Sequence, residues 1–311
     1  MDHFESRGFS PRGKFFELLN WPLHHKGRHL DTLLESERML SPEAEEQLDQ
    51  FFSAFRPQAT PLLLLDYDGT LAGFRVNRFE AAPWAGVRPL LSRIQRQGRT
   101  RMAVITGRPA AEIAPLLSLD RPFEVWGLHG AERMHTDGRH EMEAAGPAAQ
   151  HKLDQLRELL RLDSLGGLFE DKPNAAVMHW RGLAPQKART VEKRTRQLFE
   201  PLAELDGLSL LEFEAGVELR VGRDKGGAVE AILAEARAVE ANSAASGADA
   251  PIAYLGDDLT DEAAFRAVNA SGRPSLSVLM RHHWRQTDAN LWLQPPGDLK
   301  IFLEKWLAAL A

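Results

Sequence analysis

The sequence predicts an α/β protein in which helices flank a parallel β-sheet. Three short apolar runs support this prediction, because each stops abruptly at a polar residue. The runs are Leu62–Leu65 before Asp66, Met102–Ile105 before Thr106, and Ile252–Leu255 before Gly256 and Asp257. Unbroken apolar runs of this length, separated by helical patterns, are typical of parallel strands buried on both faces. We therefore expect a Rossmann-like core.

Helical patterns lie between these runs. The candidate helices are Ala85–Arg96, Ala110–Leu117 and Gly226–Glu240. In open α/β sheets, ligands bind beyond the carboxyl ends of the strands. Asp66, Thr106 and Asp257 are far apart in the sequence, but we expect them to meet at one edge of this sheet.

A segment of different texture interrupts the core. It alternates charged helical patterns with strand patterns: Gln150–Arg161, Ala175–Trp180, Pro185–Leu202 and Leu208–Glu212. We predict an inserted α+β cap domain over residues 144–215, placed over the sheet edge. Residues 58–143 and 216–311 then form the core, which ends in a strand from Leu291 and a closing helix over Leu299–Leu310.

Residues 1–57 are predicted to form an N-terminal helical leader. Its helical candidates are Lys14–Asn20 and Pro42–Phe55. His25 and His29 have the spacing of metal ligands on one helix face, but Gly27 between them disfavours a helix. We interpret these histidines as solvated side chains.

Composition and charge narrow the classes of function. The 311 residues are 43% hydrophobic and carry a net charge of −6, so no overall positive field would attract nucleic acid or an acidic membrane. The longest apolar runs are too short to span a bilayer. The absence of cysteine excludes disulfides, cysteine nucleophiles and thiolate metal sites. We expect a cytoplasmic protein and leave open whether it is a monomer or a dimer.

Two carboxylates follow the first predicted strand in Asp66-Tyr67-Asp68-Gly69-Thr70-Leu71. A tight turn at Gly69 lets both face one cleft. Asp66 can then attack phosphorus, while Asp68 protonates the leaving group and later activates water. The alternative is a turn in which Asp68 only caps a backbone group.

A second acidic cluster follows the later strand, in Gly256-Asp257-Asp258-Leu259-Thr260-Asp261-Glu262. Carboxylates crowded at a strand end repel one another unless a cation is present, and Mg²⁺ prefers such hard oxygen ligands. The alternative is an acidic first turn of the next helix, which is favoured by the helix dipole. That alternative explains Asp261 well and Asp257 poorly.

Two further segments can bind an anion. Thr106-Gly107-Arg108 follows the second strand and offers a hydroxyl and backbone N–H groups. Lys225 begins a predicted helix and can place its ammonium beside phosphoryl oxygens. Either segment alone is weak support, but four elements in a consistent order at strand and helix ends indicate phosphoryl transfer.

With these motifs the chain resembles the haloacid dehalogenase superfamily of phosphatases, and more closely its trehalose-6-phosphate phosphatase branch. The matching segments are DYDGTL at 66–71, ITGR at 105–108, DKGGA at 224–228 and YLGDDLTDEAAF at 254–265. Shorter matches are 127–132, 170–172, 179–181 and 218–220. The resemblance covers about residues 60–305 and implies a haloacid dehalogenase type of core with an inserted cap.

The resemblance implies roles for the core residues. Asp66 would be the nucleophile and Asp68 the general acid and base, while Thr106 and Lys225 would bind phosphate together with Gly107 and Arg108. Mg²⁺ would be held by Asp66, the backbone carbonyl of Asp68 and Asp257, with Asp258 or Asp261 nearby or acting through water.

The resemblance also implies a set of sugar-binding residues. In the cap these are Glu170, Lys172, His179 and Arg181; in the predicted core, Glu218 would also bind substrate, and His129 and Glu132 would contact the sugar from below. Packed or solvated roles for His179, Glu170 and Lys172 remain alternatives. Trp180 and Val221 stand where the family usually has Tyr and Pro.

The resemblance implies hydrolysis of trehalose 6-phosphate. The nearest alternative is the same chemistry on another sugar phosphate, such as a glucosylglycerol phosphate. A signalling receiver domain is disfavoured by Asp68 and by the insert, and a sugar-phosphate sensor would not require Asp68. A dinucleotide-binding oxidoreductase lacks its glycine-rich turn here.

Overall fold

The computed structural model describes residues 40–75, 77–143, 146–162, 166–205, 207–242 and 250–311. The predicted helix Lys14–Asn20 and the leader histidines lie outside these residues. None of the helices in these ranges combines the length and the apolar character needed to cross a membrane.

The described residues form twelve strands. They are β1 (Leu62–Leu65), β2 (Arg101–Ile105), β3 (Glu124–Gly127), β4 (Glu132–Met134), β5 (His140–Met142), β6 (Phe169–Lys172), β7 (Ala175–His179), β8 (Leu208–Phe213), β9 (Gly216–Val221), β10 (Ile252–Gly256), β11 (Ser275–Met280) and β12 (Leu291–Leu293). Eight of these strands form one sheet in the order β12-β11-β10-β1-β2-β3-β4-β5. Pairing is parallel from β12 to β3 and antiparallel beyond β3. The predicted parallel core is therefore confirmed, with an antiparallel hairpin added at one edge.

The helices of the same residues lie close to the predicted ranges. They are Pro42–Phe52, Val87–Gln97, Ala110–Leu117, Pro147–Leu162, Pro185–Ala203, Lys225–Ala241, Glu262–Asn269 and Gly297–Ala309. The first begins after Ser41, whose hydroxyl accepts a hydrogen bond from the Ala44 N–H, and Pro42 stands at its first position. Both features are favoured at a helix start.

β1 shows why an unbroken apolar run becomes a central strand. Leu63 and Leu65 pack on one face of the sheet against a cluster that includes Trp306. Leu62 and Leu64 pack on the other face, in a cluster that includes Phe265. Because successive side chains point to opposite faces, a strand covered by helices on both sides needs an apolar residue at every position.

A second, antiparallel sheet has the order β6-β7-β9-β8. The helices Pro147–Leu162 and Pro185–Ala203 pack on one face, through a cluster that includes Leu153, Phe199 and Met178. The predicted boundary at residue 215 assigns Gly216–Val221 to the core, but β9 is an inner strand of this second sheet. β7 is the other inner strand of this sheet, and its residues Ala175–Met178 are all buried.

Candidate active site

The carboxyl ends of β1, β2 and β10 meet at one cleft, as predicted for Asp66, Thr106 and Asp257. The cleft has a volume of about 160 Å³. It is lined by Asp66, Asp68, Phe74, Thr106, Gly107, His129, Lys172, His179, Phe213, Glu218, Lys225, Asp257, Asp258 and Thr260. Eleven of the predicted site residues therefore line this one cleft. Its lining includes residues of both sheets.

Asp66 and Lys225 form a buried ion pair at the centre of this cleft. The Lys225 Nζ donates to Asp66 Oδ1 and to Asp261 Oδ1, both at 2.7 Å. Burial raises the pKa of Asp66 to about 7; Lys225 opposes this rise and Asp261 adds to it. Burial also disfavours charge on Lys225, but Asp261 and Asp66 hold its pKa above the ordinary value. The ammonium thus offsets two carboxylates that repel each other.

Local backbone structure fixes Lys225 in this position. It is the first residue of the helix Lys225–Ala241, and Asp224 caps that helix by accepting from the Gly227 N–H at 2.9 Å. Aspartate is one of the residues favoured at the N-cap of a helix. The lysine side chain therefore starts from a rigid helix end, as the sequence predicts.

Asp68 faces the same cleft but is held by Arg108. The Arg108 Nε donates to Asp68 Oδ2 and its Nη2 to Asp68 Oδ1, both at 2.6 Å. This bidentate geometry is the strong form of an arginine–carboxylate pair. Arg108 lines the adjoining cavity, so the structure places this predicted substrate ligand against Asp68.

Asp257 and Asp261 differ in their partners. Asp261 Oδ2 accepts from the backbone N–H groups of Asp257 and Asp258 at 2.9 Å, and its Oδ1 accepts from the Tyr254 hydroxyl at 2.6 Å in addition to Lys225. The Asp258 carboxylate caps the Leu259 N–H at 2.8 Å. Asp261 is therefore saturated with donors and organises the loop on which Asp257 lies.

The acidic cluster fits a hard cation. Carboxylate oxygens of Asp66, Asp257 and Asp261 lie within 4.8 Å of one another and all three residues are buried, but only Asp66 and Asp257 are not saturated by hydrogen-bond donors. Burial and the neighbouring Asp66 raise the pKa of Asp257 well above its ordinary value, as expected of carboxylates crowded without a cation. A Cβ at Gly69 would lie 1.9 Å from Asp257 Oδ2, so only glycine leaves room for this carboxylate.

The loop Thr106-Gly107-Arg108 after β2 packs against a turn with positive φ angles. Leu128, His129 and Gly130 all have positive φ, at 48°, 58° and 107°. The Leu128 N–H donates to Arg108 O at 2.9 Å and the His129 N–H to Thr106 O at 2.8 Å. Such backbone is costly for residues other than glycine and is found where function requires it.

His129 is neutral in this turn. A Cβ on Gly107 would lie 2.6 Å from His129 Nε2, so the imidazole ring covers the Gly107 backbone. Burial and the nearby cations, of which Lys172 contributes most, hold the pKa of His129 well below its ordinary value. Its Nδ1 has no hydrogen-bond partner among the described residues. The neutral ring can therefore form a hydrogen bond with a ligand through Nδ1.

The cap side of the cleft holds two pairs of polar groups. The Lys172 Nζ donates to Glu218 Oε2 at 2.8 Å, and His179 Nε2 lies 2.8 Å from Glu170 Oε2. Lys172, His179 and Glu218 line the cleft, whereas Glu170 lines the adjoining cavity with Arg108. Each pair joins an acceptor to a donor, the mixture needed to bind a hydroxyl-rich ligand.

Two predicted sugar ligands lie elsewhere. Arg181 lines a third cavity and donates to Glu214 O at 3.2 Å. Glu132 lines none of these cavities; its Oε2 accepts from the Ala110 N–H at 2.7 Å and its Oε1 lies 2.8 Å from His140 Nε2. The structure thus makes Glu132 a cap for the helix Ala110–Leu117.

Several residues that face or support the cleft carry no predicted role. Phe74 and Phe213 line it, and the buried Arg220 on β9 donates to Leu128 O at 3.1 Å and also to Arg223 O. Arg220 lies within a segment that matches the family, and this could have marked it. Phe74 follows the Asp66–Leu71 motif by three residues, but no local pattern distinguishes it.

Comparison with known proteins agrees with this geometry. The model of a family described as trehalose-phosphatase matches residues 64–294. A trehalose-phosphate phosphatase of Mycolicibacterium paratuberculosis is 30% identical over 256 residues, which are 79% of this chain and 61% of the relative. An uncharacterized glycosyl hydrolase of Mycobacterium tuberculosis is 33% identical over 259 residues, 79% of this chain and 18% of that protein. The chain thus spans about three fifths or less of these relatives.

Solved structures share the fold. The C-terminal domain of the C. albicans trehalose-6-phosphate phosphatase matches with a TM-score of 0.68 at 20% identity. The match covers 89% of this chain and 100% of that domain. A haloacid dehalogenase-like hydrolase from B. subtilis matches with a TM-score of 0.54 at 17% identity. The match covers 79% of this chain and 99% of the hydrolase. The predicted haloacid dehalogenase type of fold is therefore confirmed.

Proposed function

The chain belongs to the trehalose-phosphatase family, and from this premise we propose that it hydrolyses trehalose 6-phosphate to trehalose and phosphate. The observation that carries the proposal is the convergence of Asp66, Asp68 and Lys225 on one cleft that the polar groups of the second sheet cover. Phosphoryl transfer needs mainly positioning and charge neutralisation, and both are built into this sheet edge.

In the first step, an Asp66 carboxylate oxygen attacks phosphorus and the bond from phosphorus to the sugar oxygen breaks. The leaving alkoxide takes a proton from Asp68, and an aspartyl phosphate remains on Asp66. Lys225 and the hydroxyl of Thr106 bind the phosphoryl oxygens. Because Lys225 is shared with Asp261, its ammonium is already in place before the substrate arrives.

In the second step, a water molecule attacks the phosphorus and gives a proton to Asp68. The bond between phosphorus and the Asp66 oxygen breaks, which releases phosphate and restores both aspartates. One water is consumed in the cycle. For Asp68 to take part, its carboxylate must exchange at least one hydrogen bond with Arg108 for one with substrate or water.

Asp66, Asp257 and the Asp68 carbonyl are the residues that we propose to hold Mg²⁺, and the cation would draw charge from the phosphoryl oxygens. Asp261 is saturated by four donors and would position Lys225 and the Asp257 backbone. Asp258 would act at most through water, since its carboxylate caps Leu259.

The cap residues would select the sugar. A bound disaccharide offers hydroxyl groups that can replace the Lys172–Glu218 and His179–Glu170 contacts. We propose that residues 144–215, together with β9, act as a cap that closes over the substrate and excludes water. A cytoplasmic location remains a part of the proposal, and no oligomeric state is proposed.

The test is phosphate release from a panel of sugar phosphates, with and without Mg²⁺. We expect Mg²⁺-dependent release and a clear preference for trehalose 6-phosphate. A preference for another sugar phosphate, such as a glucosylglycerol phosphate, would keep the chemistry and overturn the substrate. Binding of trehalose 6-phosphate without release of phosphate would overturn the catalytic role and favour a sensor.

A further inference from the structure

A single aromatic side chain lies where the cleft and two side cavities meet. Phe74 follows the Asp66–Leu71 motif, and 63% of its surface is exposed. It lines the catalytic cleft and both of the larger cavities beside it. Among the described residues, only Phe74 is common to the linings of all three. A single exposed apolar side chain is ordinary on a protein surface, so the position shared by three cavities is what distinguishes Phe74.

Phe74 and Arg75 both line the two side cavities, whose other walls differ. One has a volume of about 350 Å³ and is lined by Arg78, Glu170 and Lys172. The other has a volume of about 390 Å³ and is lined by Trp84, Arg181 and other residues. Only the first shares Asp68 and Gly107 with the catalytic cleft, and only the second shares Asp257.

Glu170 on β6 and Arg181, two residues beyond the end of β7, each approach a different one of these cavities. On one side Glu170 Oε1 lies 3.4 Å from Arg78 Nη1. On the other side the Arg181 guanidinium lies 5.8 Å from the centroid of the Phe74 ring, within the range of a cation–π contact. Polar hydrogen-bonding groups therefore stand on both sides of an apolar divider.

We propose that Phe74 is a specificity-determining residue that divides the sugar site in two, so that each side cavity takes one ring of a disaccharide leaving group. A pyranose ring has hydroxyl groups at its rim and C–H groups on its faces. Its C–H face can pack on Phe74 while its hydroxyls reach Glu170 and Lys172 on one side or Arg181 on the other. This inference rests on the proposed function and explains why that site would select two rings over one.

The test compares kcat/KM for trehalose 6-phosphate, glucose 6-phosphate and glycerol 3-phosphate. In Phe74→Ala we expect kcat/KM to fall about tenfold for the disaccharide, the scale of one lost aromatic contact, and less for glucose 6-phosphate, which has one ring. The value for glycerol 3-phosphate, which has no ring to pack on Phe74, should change less than about twofold, because Asp66 and its partners are untouched. Phe74→Tyr should retain the preference for the disaccharide.

Phe79 provides the matched control. It is also 63% exposed and lies five residues further along, but it lines none of the three cavities. Phe79→Ala should therefore leave all three kcat/KM values unchanged. Thermal unfolding of each variant checks that the fold is retained, which we expect because both side chains are mostly exposed.

A binding measurement separates this inference from the proposed function. Trehalose titrated into the wild-type protein and into Phe74→Ala should bind about tenfold more weakly to the variant. If the wild-type protein prefers trehalose 6-phosphate but Phe74→Ala keeps the same preference and affinity, the divider is wrong and the function stands. If the wild-type protein releases no phosphate from any sugar phosphate, the proposed function fails, and the trehalose titration alone decides the divider.

Discussion

The core and cap sides of the cleft use ion pairs differently. In the core, Lys225 and Asp66 are almost fully buried, at 3% and 5% side-chain exposure, and the lysine also contacts Asp261. In the cap, the His179–Glu170 pair is half-exposed, at 42% and 34%, whereas the Lys172–Glu218 pair is largely buried, at 16% and 2%. A buried network cannot rearrange cheaply, whereas a half-exposed pair can exchange its partner for a ligand. The buried core pairs therefore hold the reacting groups in place, and the half-exposed His179–Glu170 pair can give up its contact to bind a ligand.

The largest expected effect follows from Asp66→Asn, which tests the fixed side. Turnover should fall by about 10³-fold or more, because the amide cannot act as the nucleophile. The fold should remain, since Asn has nearly the same shape. Phosphate release and thermal unfolding measured side by side check this. Asp288→Asn, at an exposed ion pair with Arg266, serves as the control; a folded Asp66→Asn protein with normal turnover contradicts the covalent mechanism.

Lys225→Met should lower the free energy of unfolding far more than removal of an exposed ion pair does. Removing the ammonium leaves Asp66 and Asp261 buried without their shared partner, which costs about 3 kcal/mol or more in the free energy of unfolding. Activity should be lost as well. Denaturant unfolding without Mg²⁺ measures the first effect. Lys305→Met, which removes an exposed pair with Asp49, should change the free energy by less than about 1 kcal/mol; equal losses would mean that burial does not distinguish these pairs.

Lys172→Met tests the cap side through the Lys172–Glu218 pair, which is largely buried. We expect KM for the sugar phosphate to rise about tenfold with a smaller change in kcat, because a charge-assisted hydrogen bond to substrate is lost. Glu170→Gln should give a smaller shift in the ranking of substrates. Lys152→Met, at an exposed position of the helix Pro147–Leu162, is the control. An unchanged substrate profile would mean that Glu170 and Lys172 take no part in selecting the sugar.

The smallest expected effect concerns Mg²⁺ and pH. Burial raises the pKa of Asp66 to about 7 from 3.8, so the metal-free fold loses stability as pH rises from about 4 to 7, where the folded carboxyl must give up a proton that the unfolded one has already lost. Mg²⁺ binds the ionised form and should raise Tm by more degrees at pH 8 than at pH 5.5. Thermal unfolding at both pH values measures this. Equal shifts would contradict a role for Asp66 in binding the metal.

Much of the core could be predicted because its short, unbroken apolar runs are typical of strands buried on both faces of a parallel sheet. Leu62–Leu65 is buried on both faces, and its end fixes Asp66 at the cleft. The hairpin β4–β5 was not predicted, because its two short strands are polar and one is fully exposed. Burial patterns that distinguish a central strand are absent from such an edge.

The sequence predicted the residue types of the site better than their partners. Thr106, Lys225 and Asp257 follow from position at strand and helix ends. The pairing of Arg108 with Asp68 and the capping of Ala110 by Glu132 do not, because they depend on side chains brought together from distant segments. Phe74 could not be identified either, since its importance arises from three cavities that only the folded chain creates.

Gly69 has a consequence for how this protein tolerates mutation. Its φ of 80° and the Asp257 carboxylate 1.9 Å from where a Cβ would stand exclude every other amino acid without rearrangement. In a saturation scan of single codons under selection for activity, we expect Gly69 to be as intolerant as Asp66, although it carries no reactive group. The two positions would then be lost for different reasons: one because a functional group is missing, the other because an atom has been added.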